Sequence, residues 1–186
     1  MRRKRVKGMD LTEKKQEEEL VYDGTLLKIW RARVKLADGS ETYREWIRHP
    51  GAAAVIPLFP GEETLLVRQF RYPIGRETLE IPAGKLDPGE APPACAAREL
   101  SEETGLVGGE LVKVGSIMTT PGFTNEVIHL FVCRNPSPGP AHPDAGEFIN
   151  TLRISVSEVF QRILDGRLQD GKTVLAFLLA RAQGLL

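Results

Sequence analysis

The segment Gly84–Leu106 constrains the fold of this chain more than any other, and it reads GKLDPGEAPPACAARELSEETGL. A Pro-Gly turn precedes a stretch of helix-forming residues, so the segment predicts a helix over about Ala91–Thr104. Gly105 follows directly, and glycine readily adopts the left-handed conformation that ends many helices. The segment therefore predicts a loop, a helix and a sharp stop in close succession.

Three glutamates of this helix, Glu99, Glu102 and Glu103, are spaced by three and four residues. Residues at that spacing share one face of a helix, where like charges repel each other. Taken alone, the pattern also suits an ordinary solvated acidic face. A locally unfavourable arrangement can indicate a functional site, however. Hard divalent cations such as Mg²⁺ or Mn²⁺ prefer carboxylate oxygens and would offset the repulsion.

The same segment resembles the sequence motif of the Nudix hydrolases, and we call Gly84–Leu106 the Nudix motif. The pattern is a glycine, five residues, a glutamate, seven residues, Arg-Glu, an aliphatic residue, one residue, Glu-Glu, one residue, a glycine and an aliphatic residue. All nine specified positions are filled here. They are Gly84, Glu90, Arg98, Glu99, Leu100, Glu102, Glu103, Gly105 and Leu106. So full a match favours the metal-binding interpretation over the solvated face.

The resemblance implies an α/β/α sandwich with a mixed sheet, in which the motif forms a loop, a helix and a second loop. In fold-class terms this is an α/β (α+β) protein with a small N-terminal antiparallel β extension. The interspersed strands and helices of the chain agree with that class. Family members hydrolyse a nucleoside diphosphate linked to another moiety, which implies Mg²⁺ or Mn²⁺ as the cofactor.

The resemblance also assigns the metal ligands. Glu99 and Glu103 would be the main ligands, and Glu102 would share the ions. The backbone carbonyl of Ala83, just before the motif, would serve as a further ligand. Carboxylate and carbonyl oxygens are the donors that magnesium and manganese prefer.

Other residues of the motif would support this metal site. Glu90 would assist the carboxylate cluster from the loop, and Arg98 would hold a glutamate through a charge-assisted pair rather than touch the substrate. Gly84 and Gly105 would permit tight backbone at the two ends of the helix. The resemblance thus separates the ligands from the residues that orient them.

Residues outside the motif resemble the ADP-ribose pyrophosphatase branch of the family. Glu80–Gly84 reads EIPAG and leads directly into the motif. Pro121 lies fifteen residues after Leu106, close to the place of a proline that marks the branch. Thr120–Glu126 looks like the substrate loop of that branch. The resemblance covers most of residues 40–180 and implies hydrolysis of ADP-ribose to AMP and ribose 5-phosphate.

This branch resemblance suggests contacts to the substrate. Arg71 would contact the diphosphate or the terminal ribose, Arg44 would reach the substrate from the N-terminal strands, and Glu126 would bind a ribose or a nearby water. The predicted substrate-binding residues are Arg44, Arg71, Glu80, Pro121, Gly122, Phe123 and Glu126. As alternatives, the two arginines could be ordinary surface charges and Glu126 could cap the turn.

An aromatic side chain often stacks on the adenine in this branch. Trp30, Trp46 and Phe123 are the candidates, although each would also suit the core or an interface. In related enzymes the N-terminal strands cross over to a partner subunit and both subunits build each active site. The resemblance therefore implies a homodimer, in which Arg44 and Glu126 could act across the interface.

The general base is predicted at the end of the Pro- and Gly-rich loop Asn135–Gly146. Glu147 resembles the acidic residue that precedes the next strand in the family. Asp144 and the motif glutamates, including Glu102 and Glu103, remain alternatives because alignment through such a loop is loose. The base would take a proton from a metal-activated water that attacks one phosphorus.

The remaining chain predicts three regions. Residues 1–19 favour a flexible tail or a frayed helix, because they have few apolar anchors. Residues 20–48 favour two or three antiparallel strands with a hairpin turn at Asp38-Gly39, and this β extension could be swapped in a dimer. Residues 49–186 would form the hydrolase domain. Within that domain, the apolar run Ala52–Phe59 predicts a strand.

The C-terminal part of the chain predicts two helices. Ser157 is expected to cap a helix over about Glu158–Leu164, because serine is a preferred N-cap residue. Lys172–Gln183 predicts the last helix. Both helices would cover the mixed sheet.

Composition limits the partners and the location. The chain has 25 Lys and Arg and 25 Asp and Glu, so no net charge draws it to nucleic acid or membranes. Its apolar runs are too short to span a bilayer. Cys95 and Cys133 form neither a disulfide framework nor a zinc site, which favours a reducing cytoplasm. The basic segment Met1–Arg5 is interpreted as a solvated tail, with nucleic acid or anionic lipid as the alternative contact.

Other functions stay open from sequence alone. Within the same enzyme class, the substrate could be another nucleotide sugar, a dinucleoside polyphosphate or an oxidised nucleotide. A non-catalytic module that senses ADP-ribose is a second possibility, although such modules often lose motif glutamates and none is lost here. An enzyme that processes RNA ends, drawn to RNA by the basic tail, is a third.

Overall fold

The computed structural model describes residues 8, 10–139 and 148–186, and these residues form two compact units. The first unit contains the described residues up to His49 together with Thr120–Glu126. The second unit contains Pro50–Thr119 and the described residues from Val127 to the C-terminus. Among all described residues, no helix is long and apolar enough to cross a membrane.

The first unit is a three-stranded antiparallel sheet. Its strands are β1 (Lys14–Asp23), β2 (Lys28–Lys35) and β3 (Glu41–Ile47), arranged in the order β1-β2-β3. The turn between β2 and β3 is closed by a 2.8 Å hydrogen bond from Leu36 N to Ser40 O. Gly39 takes a positive φ of 89° within this turn. The predicted antiparallel strands and the Asp38-Gly39 turn are confirmed.

The prediction that residues 1–19 form a tail or frayed helix is wrong for Lys14–Glu19, which lies in β1. These six residues are charged or polar, so they lack the alternation that identifies a strand from sequence. The stability of the strand comes from cross-strand pairs, which are the stabilising units of a sheet. Glu19 accepts from Arg31 at 2.6 Å, and Glu17 accepts from Arg33 at 2.6 Å.

The segment Thr120–Glu126 belongs to this first unit because it is hydrogen-bonded to the end of β3. Ile47 N donates to Phe123 O at 2.8 Å. The side chain of Asn125 accepts from His49 N at 2.8 Å and donates to His49 O at 3.0 Å. The predicted substrate loop therefore has a defined position relative to β3.

The second unit contains strands β4–β12 and helices α1–α3. In chain order they are β4 (Ala52–Phe59), β5 (Glu63–Arg71), β6 (Arg76–Glu80), β7 (Ala83–Lys85), α1 (Pro92–Thr104), β8 (Leu106–Val107), β9 (Glu110–Met118), β10 (Val127–Arg134), β11 (Ser137–Pro138), β12 (Asn150–Ser155), α2 (Val156–Leu164) and α3 (Gly171–Ala182). The short strands β8 and β11 pair with each other.

The main sheet of the second unit is mixed. Its described strands follow the order β12-β5-β4-β10-β9, with β6 paired to β5 and β7 paired to β4. The pair β4–β10 is parallel, with Ala52 opposite Ile128, and the other pairs are antiparallel. β7 pairs with the first residues of β4, a central strand of the sheet. The start of the Nudix motif, which lies in β7, is therefore fixed to the centre of the sheet.

Helices cover both faces of this sheet, and β4 shows why its sequence is apolar throughout. Ala52, Ala54 and Ile56 pack on one face with side chains from α2 and α3. Ala53 and Val55 pack on the other face with the buried side of α1. A strand buried on both faces has no need of polar alternation. The predicted α/β/α sandwich with a mixed sheet is confirmed.

The prediction that Ser157 caps α2 is wrong by two residues. Ser155 is the N-cap, and its hydroxyl accepts from the backbone N–H of Glu158 at 3.1 Å. Ser157 instead lies inside the first turn, with its hydroxyl 3.0 Å from that of Ser155. The sequence Ser-Val-Ser offers two possible caps, and the end of β12 at Ser155 decides between them.

Candidate active site

The helix α1 carries the motif glutamates and docks on the sheet through its opposite face. Cys95, Ala96 and Leu100 are its buried residues. The helix begins with two prolines, which fit its first turn because the first N–H groups have no partner within the helix. It ends at Gly105, whose φ of 68° is left-handed. The predicted helix, including its glycine stop, is confirmed.

Arg98 contacts all three members of a carboxylate cluster formed by Glu90, Glu99 and Glu102. Its guanidinium donates to Glu90 Oε1 and Oε2 at 3.0 Å each, to Glu99 Oε1 at 2.7 Å and to Glu102 Oε2 at 2.8 Å. Its Nη2 also donates to the carbonyl of Lys85 at 3.0 Å. These carboxylates raise the pKa of Arg98, the hydrogen bond to Glu90 most of all, against the opposing effect of burial. The predicted support of a glutamate by Arg98 thus extends to three carboxylates.

Glu90 anchors the loop before the helix. Besides Arg98, it accepts a hydrogen bond from the backbone N–H of Asp87 at 3.0 Å. The hydrogen bonds from Arg98 and then Asp87 hold the pKa of Glu90 at about 2, well below its ordinary value of 4.5. The side chain is therefore a fixed anion that orients Arg98, in agreement with a supporting role.

Glu99 and Glu103, one helical turn apart, both lie against β7. The backbone N–H of Ala83 donates to Glu103 Oε2 at 3.0 Å. A Cβ placed on Gly84 would overlap the carboxylate of Glu99. Gly84 is therefore required by close approach of the Glu99 side chain rather than by a positive φ. The structure brings the predicted ligands Ala83, Glu99 and Glu103 together beside β7, along what we call the carboxylate edge.

The donors at this edge fit a hard divalent cation. Glu99, Glu102, Glu103 and the carbonyl of Ala83 offer only oxygen atoms, which suits Mg²⁺ or Mn²⁺. The close contact that Gly84 allows keeps one carboxylate beside the strand. As the side chains stand, no set of three or more His, Cys, Asp or Glu within residues 8, 10–139 and 148–186 is arranged to hold an ion.

Arg71 and Glu80, two of the predicted substrate-binding residues, form a pair beside the motif. Arg71 Nε and Nη2 donate to the two oxygens of Glu80 at 2.7 and 2.5 Å. Thr78 also donates to Glu80, and Lys172 forms a close ion pair with it. Arg71 and Glu80 line a cavity of about 620 Å³. The fold thus directs the half-exposed guanidinium of Arg71 towards open space.

The charges around Arg71 connect it to the motif. Its pKa is raised above the ordinary value, first by the hydrogen bonds that it donates to Glu80, and burial opposes this effect. The charges of Asp170 and Glu103 raise it further. Arg71 is thus near enough to the motif for the charge of Glu103 to act on it.

Acid should remove the stabilisation that the Glu80 cluster provides. Burial raises the pKa of Glu80, but the hydrogen bond from Arg71, the charge of Lys172 and further hydrogen bonds outweigh it and lower the pKa from 4.5 to about 2. A depressed pKa stabilises the fold above the unfolded value, and this contribution is lost as pH falls from about 4.5 to about 2. It is on the order of 3 kcal/mol at neutral pH.

Urea unfolding at a series of pH values measures this effect in the wild type and in Glu80→Gln. We expect the difference in unfolding free energy between the two proteins to shrink as pH falls through that window, because protonation makes the wild-type side chain neutral as well. Exposed Glu110→Gln is the matched control. A difference that stays constant from pH 5 to pH 2 would contradict the cluster's role.

The other predicted substrate-binding residues lie in the first unit. Arg44 donates to both oxygens of Glu13, at 3.1 and 2.7 Å. Glu126 Oε1 lies 3.5 Å from His49 Nε2. Phe123 is about half exposed, and Pro121 and Gly122 are exposed. An exposed loop with an accessible aromatic ring remains compatible with the predicted substrate contacts.

The two tryptophans of the first unit contact one arginine. The guanidinium carbon of Arg48 lies 3.9 Å from the ring centroid of Trp30 and 5.0 Å from that of Trp46. Glu18 fixes this guanidinium through a 2.8 Å contact. Stacking on a planar cation is the kind of contact that an aromatic ring can also make with a base. The candidacy of Trp30 and Trp46 for adenine stacking stays a prediction.

The predicted general base cannot be placed, since Glu147 and its alternative Asp144 lie outside the described residues. Conversely, sequence analysis missed Asp170, Lys172 and Thr173 as neighbours of the site. Their segment reads as an ordinary helix start, and only the fold brings it to Glu80 and Ile81. The available signal was a lysine in the first turn of a largely apolar helix, which begins directly after an aspartate suited to cap it.

Comparison with known proteins identifies the family of this chain. Residues 48–177 match the NUDIX domain, and the chain accordingly belongs to the NUDIX family, as its motif predicted. It is 38% identical over 171 residues to a methanol dehydrogenase activator of Bacillus methanolicus, covering 91% of this chain and 92% of that protein. It is 34% identical over 168 residues to an ADP-ribose pyrophosphatase of Bacillus subtilis (strain 168), covering 89% and 91%.

Further matches extend the comparison. A GDP-mannose pyrophosphatase of Yersinia enterocolitica is 32% identical over 173 residues, covering 86% of this chain and 90% of that protein. The fold is similar to the crystal structure of an ADP compounds hydrolase, with a TM-score of 0.81 over 92% of this chain and 93% of the other. Sequence identity to that structure is 20%, so it supports the fold alone.

Proposed function

We propose that this protein hydrolyses the diphosphate linkage of ADP-ribose to AMP and ribose 5-phosphate. The observation that carries the proposal is the carboxylate edge at β7, where Glu103 bonds to Ala83 and Glu99 lies against Gly84. The 34% identity to an ADP-ribose pyrophosphatase over most of both chains supports this choice of substrate. The basic cavity at Arg71 supplies a cation for a diphosphate.

In this proposal the chain's own residues bind and orient the reactants. The cation would be held by Glu99, Glu102, Glu103 and the carbonyl of Ala83. Arg98 would hold the carboxylates in position. When bound, Mg²⁺ or Mn²⁺ would supply a Lewis acid to the diphosphate oxygens and lower the pKa of the attacking water. Arg71 would neutralise charge on the diphosphate, since a guanidinium forms bidentate hydrogen bonds with phosphate oxygens.

The water that attacks phosphorus needs a proton acceptor. Glu147 is the proposed general base, with Asp144 and a motif glutamate as alternatives. A general base of this kind contributes on the order of 100- to 10,000-fold in rate. Comparing kcat of Glu147→Gln with Asp144→Asn would separate the first two candidates.

Further substrate contacts and the assembly complete the proposal. Arg44, Glu80, Pro121, Gly122, Phe123 and Glu126 are the further proposed substrate-binding residues. We propose a homodimer that acts in the cytoplasm, with the three-stranded sheet of the first unit at its interface. Light scattering coupled to size-exclusion chromatography measures the assembly directly.

Turnover of ADP-ribose with Mg²⁺, compared with a panel of other diphosphates, tests the function. The panel contains GDP-mannose, NADH, diadenosine polyphosphates and oxidised dGTP, and chromatography identifies the products. We expect AMP and ribose 5-phosphate at the highest kcat/KM. Faster turnover of another panel member would support diphosphate hydrolysis but replace ADP-ribose as the proposed substrate. Binding of ADP-ribose without turnover of any member would instead favour a sensing module.

A second candidate function follows from the 38% identity to a methanol dehydrogenase activator. In that case the protein would act on a dehydrogenase rather than on a free nucleotide alone. Adding it, with Mg²⁺, to a purified methanol dehydrogenase and measuring alcohol oxidation would distinguish the two functions. An unchanged dehydrogenase rate alongside rapid ADP-ribose turnover would leave the first function standing.

A further inference from the structure

Four charged side chains form a cluster between β5–β6 and the start of α3. Glu80 lies at its centre, with its side chain only 3% exposed. Arg71 binds both of its oxygens, and Lys172 also donates to Oε2. Lys172 contacts Asp170 Oδ2 at 3.1 Å as well, and its side chain is 11% exposed. The cluster therefore contains two cations and two anions, most of them withdrawn from water.

A separate contact fastens the same two elements without using Lys172. Thr173 is fully buried, and its hydroxyl accepts from the backbone N–H of Ile81 at 2.9 Å. The same hydroxyl donates to Asp170 Oδ2 at 2.5 Å, and Asp170 caps α3 by accepting from Thr173 N at 3.0 Å. The backbone after β6 is thus held to α3 by Thr173 independently of the Lys172–Glu80 pair.

Lys172 instead competes with Arg71 for one carboxylate oxygen. Both cations contact Glu80 Oε2, so the charge of Glu80 is divided between them. Arg71, with its side chain 43% exposed, faces the cavity and keeps the capacity to bind an anion. Removing the charge of Lys172 would leave the four-residue cluster with one cation, Arg71, and two anions, Glu80 and Asp170. An anionic ligand would then meet a less favourable field.

We propose that Lys172 is a positioning residue that acts through Glu80 to set the orientation and the available charge of Arg71 for a diphosphate. This rests on the proposed function, because Arg71 is assigned to the diphosphate there. The ligand class is defined by the chemistry: a compact dianion or polyanion that a guanidinium binds through two oxygens.

A double-mutant cycle between Lys172→Met and Arg71→Met tests the proposal. The probes are inorganic pyrophosphate, whose binding with Mg²⁺ is measured by calorimetry, and ADP-ribose, for which KM and kcat are measured. We expect Lys172→Met to weaken pyrophosphate binding and raise KM by about tenfold, with kcat within about twofold of wild type. When Arg71 is already methionine, Lys172→Met should cause no further loss of affinity, because Lys172 acts on the ligand only through Arg71.

Conservative variants separate charge from structure. Lys172→Arg should restore both KM and pyrophosphate affinity, whereas Lys172→Gln, which keeps a hydrogen-bond donor, should behave like Lys172→Met. Thr173→Val, which breaks the separate contact, should lower the melting temperature and leave KM unchanged. If Lys172→Met does not fold, Lys172→Gln carries the cycle.

The outcomes distinguish this inference from the proposed function. Additive losses for Lys172 and Arg71 would overturn the positioning role while ADP-ribose turnover by the wild type upheld the function. Coupled losses of pyrophosphate affinity, in a protein whose wild type does not hydrolyse ADP-ribose, would support the positioning role and overturn the proposed function. A wild type that neither binds pyrophosphate nor hydrolyses ADP-ribose would overturn both.

Discussion

Replacing Glu103 by glutamine should reduce Mg²⁺-dependent hydrolysis by on the order of 1000-fold in kcat, equivalent to about 4 kcal/mol of transition-state stabilisation. The reason is that the amide is neutral and a weak ligand for a hard cation. Its side-chain oxygen can still accept the hydrogen bond from Ala83, which lies 3.0 Å from Glu103 Oε2. The fold should therefore survive the substitution, and the loss should fall on the chemistry.

Steady-state kinetics with ADP-ribose and calorimetric titration of Mn²⁺ measure the two effects of Glu103→Gln separately. Glu110→Gln, an exposed glutamate at the start of β9, is the matched control and should keep wild-type kcat. Retention of kcat within threefold of wild type in Glu103→Gln would remove this side chain from the metal site. Loss of activity with unchanged Mn²⁺ affinity would instead favour a proton-transfer role for Glu103.

Replacing Arg98 by methionine should lower the free energy of unfolding by about 3 kcal/mol in the absence of divalent metal. Arg98 donates to Glu90, Glu99 and Glu102, and the variant would leave these carboxylates without their shared cation. The side chain of Arg98 is 29% exposed, so the loss should lie at the lower end of the range for a buried pair. Urea unfolding measures it directly.

Mg²⁺ should recover part of this loss, because a cation bound at the same carboxylates replaces the missing charge. The stabilisation by Mg²⁺ should then be larger in Arg98→Met than in the wild type. Arg153→Met removes an exposed pair with Glu63 and should cost less than about 1 kcal/mol, with no change in the Mg²⁺ effect. Equal stabilisation of Arg98→Met and wild type by Mg²⁺ would show that the ion binds elsewhere.

The fold was largely predictable where a short segment carries a clear signal of its own. Ala52–Phe59 was predicted as a strand from its apolar run, and it is β4 with the same bounds. The helix α1 was predicted to within one residue from its turn and its glycine stop. In both cases local chemistry and tertiary packing favour the same structure, which is the condition under which sequence patterns are informative.

The prediction failed where stability comes from partners that are distant in sequence. The first six residues of β1, Lys14–Glu19, are charged or polar, so only their pairing with β2 identifies them as a strand. Lys172 and Glu80 are 92 residues apart, and nothing local to either predicts their ion pair. Ser155 rather than Ser157 caps α2 because β12 ends at Ser155, and the sequence alone does not show where β12 ends.

The site was predictable to a similar extent. The motif located Glu99, Glu103 and Arg98, because helical spacing fixes which side chains share a face. It did not reveal that Arg98 contacts three carboxylates at once, since that depends on the path of the loop carrying Glu90. Residue spacing within one element is therefore read from sequence more reliably than contact between elements.

The parallel pair β4–β10 has a consequence for how the protein is synthesised. The two strands are joined by residues 60–126, and α1 packs on both of them through Val55 on β4 and Phe131 on β10. A chain leaving the ribosome completes the motif before the second strand exists, and such long-range closure is slow. A fragment that ends before residue 127 would carry every motif glutamate and still lack Phe131 and Cys133, which β10 adds to the surface under α1.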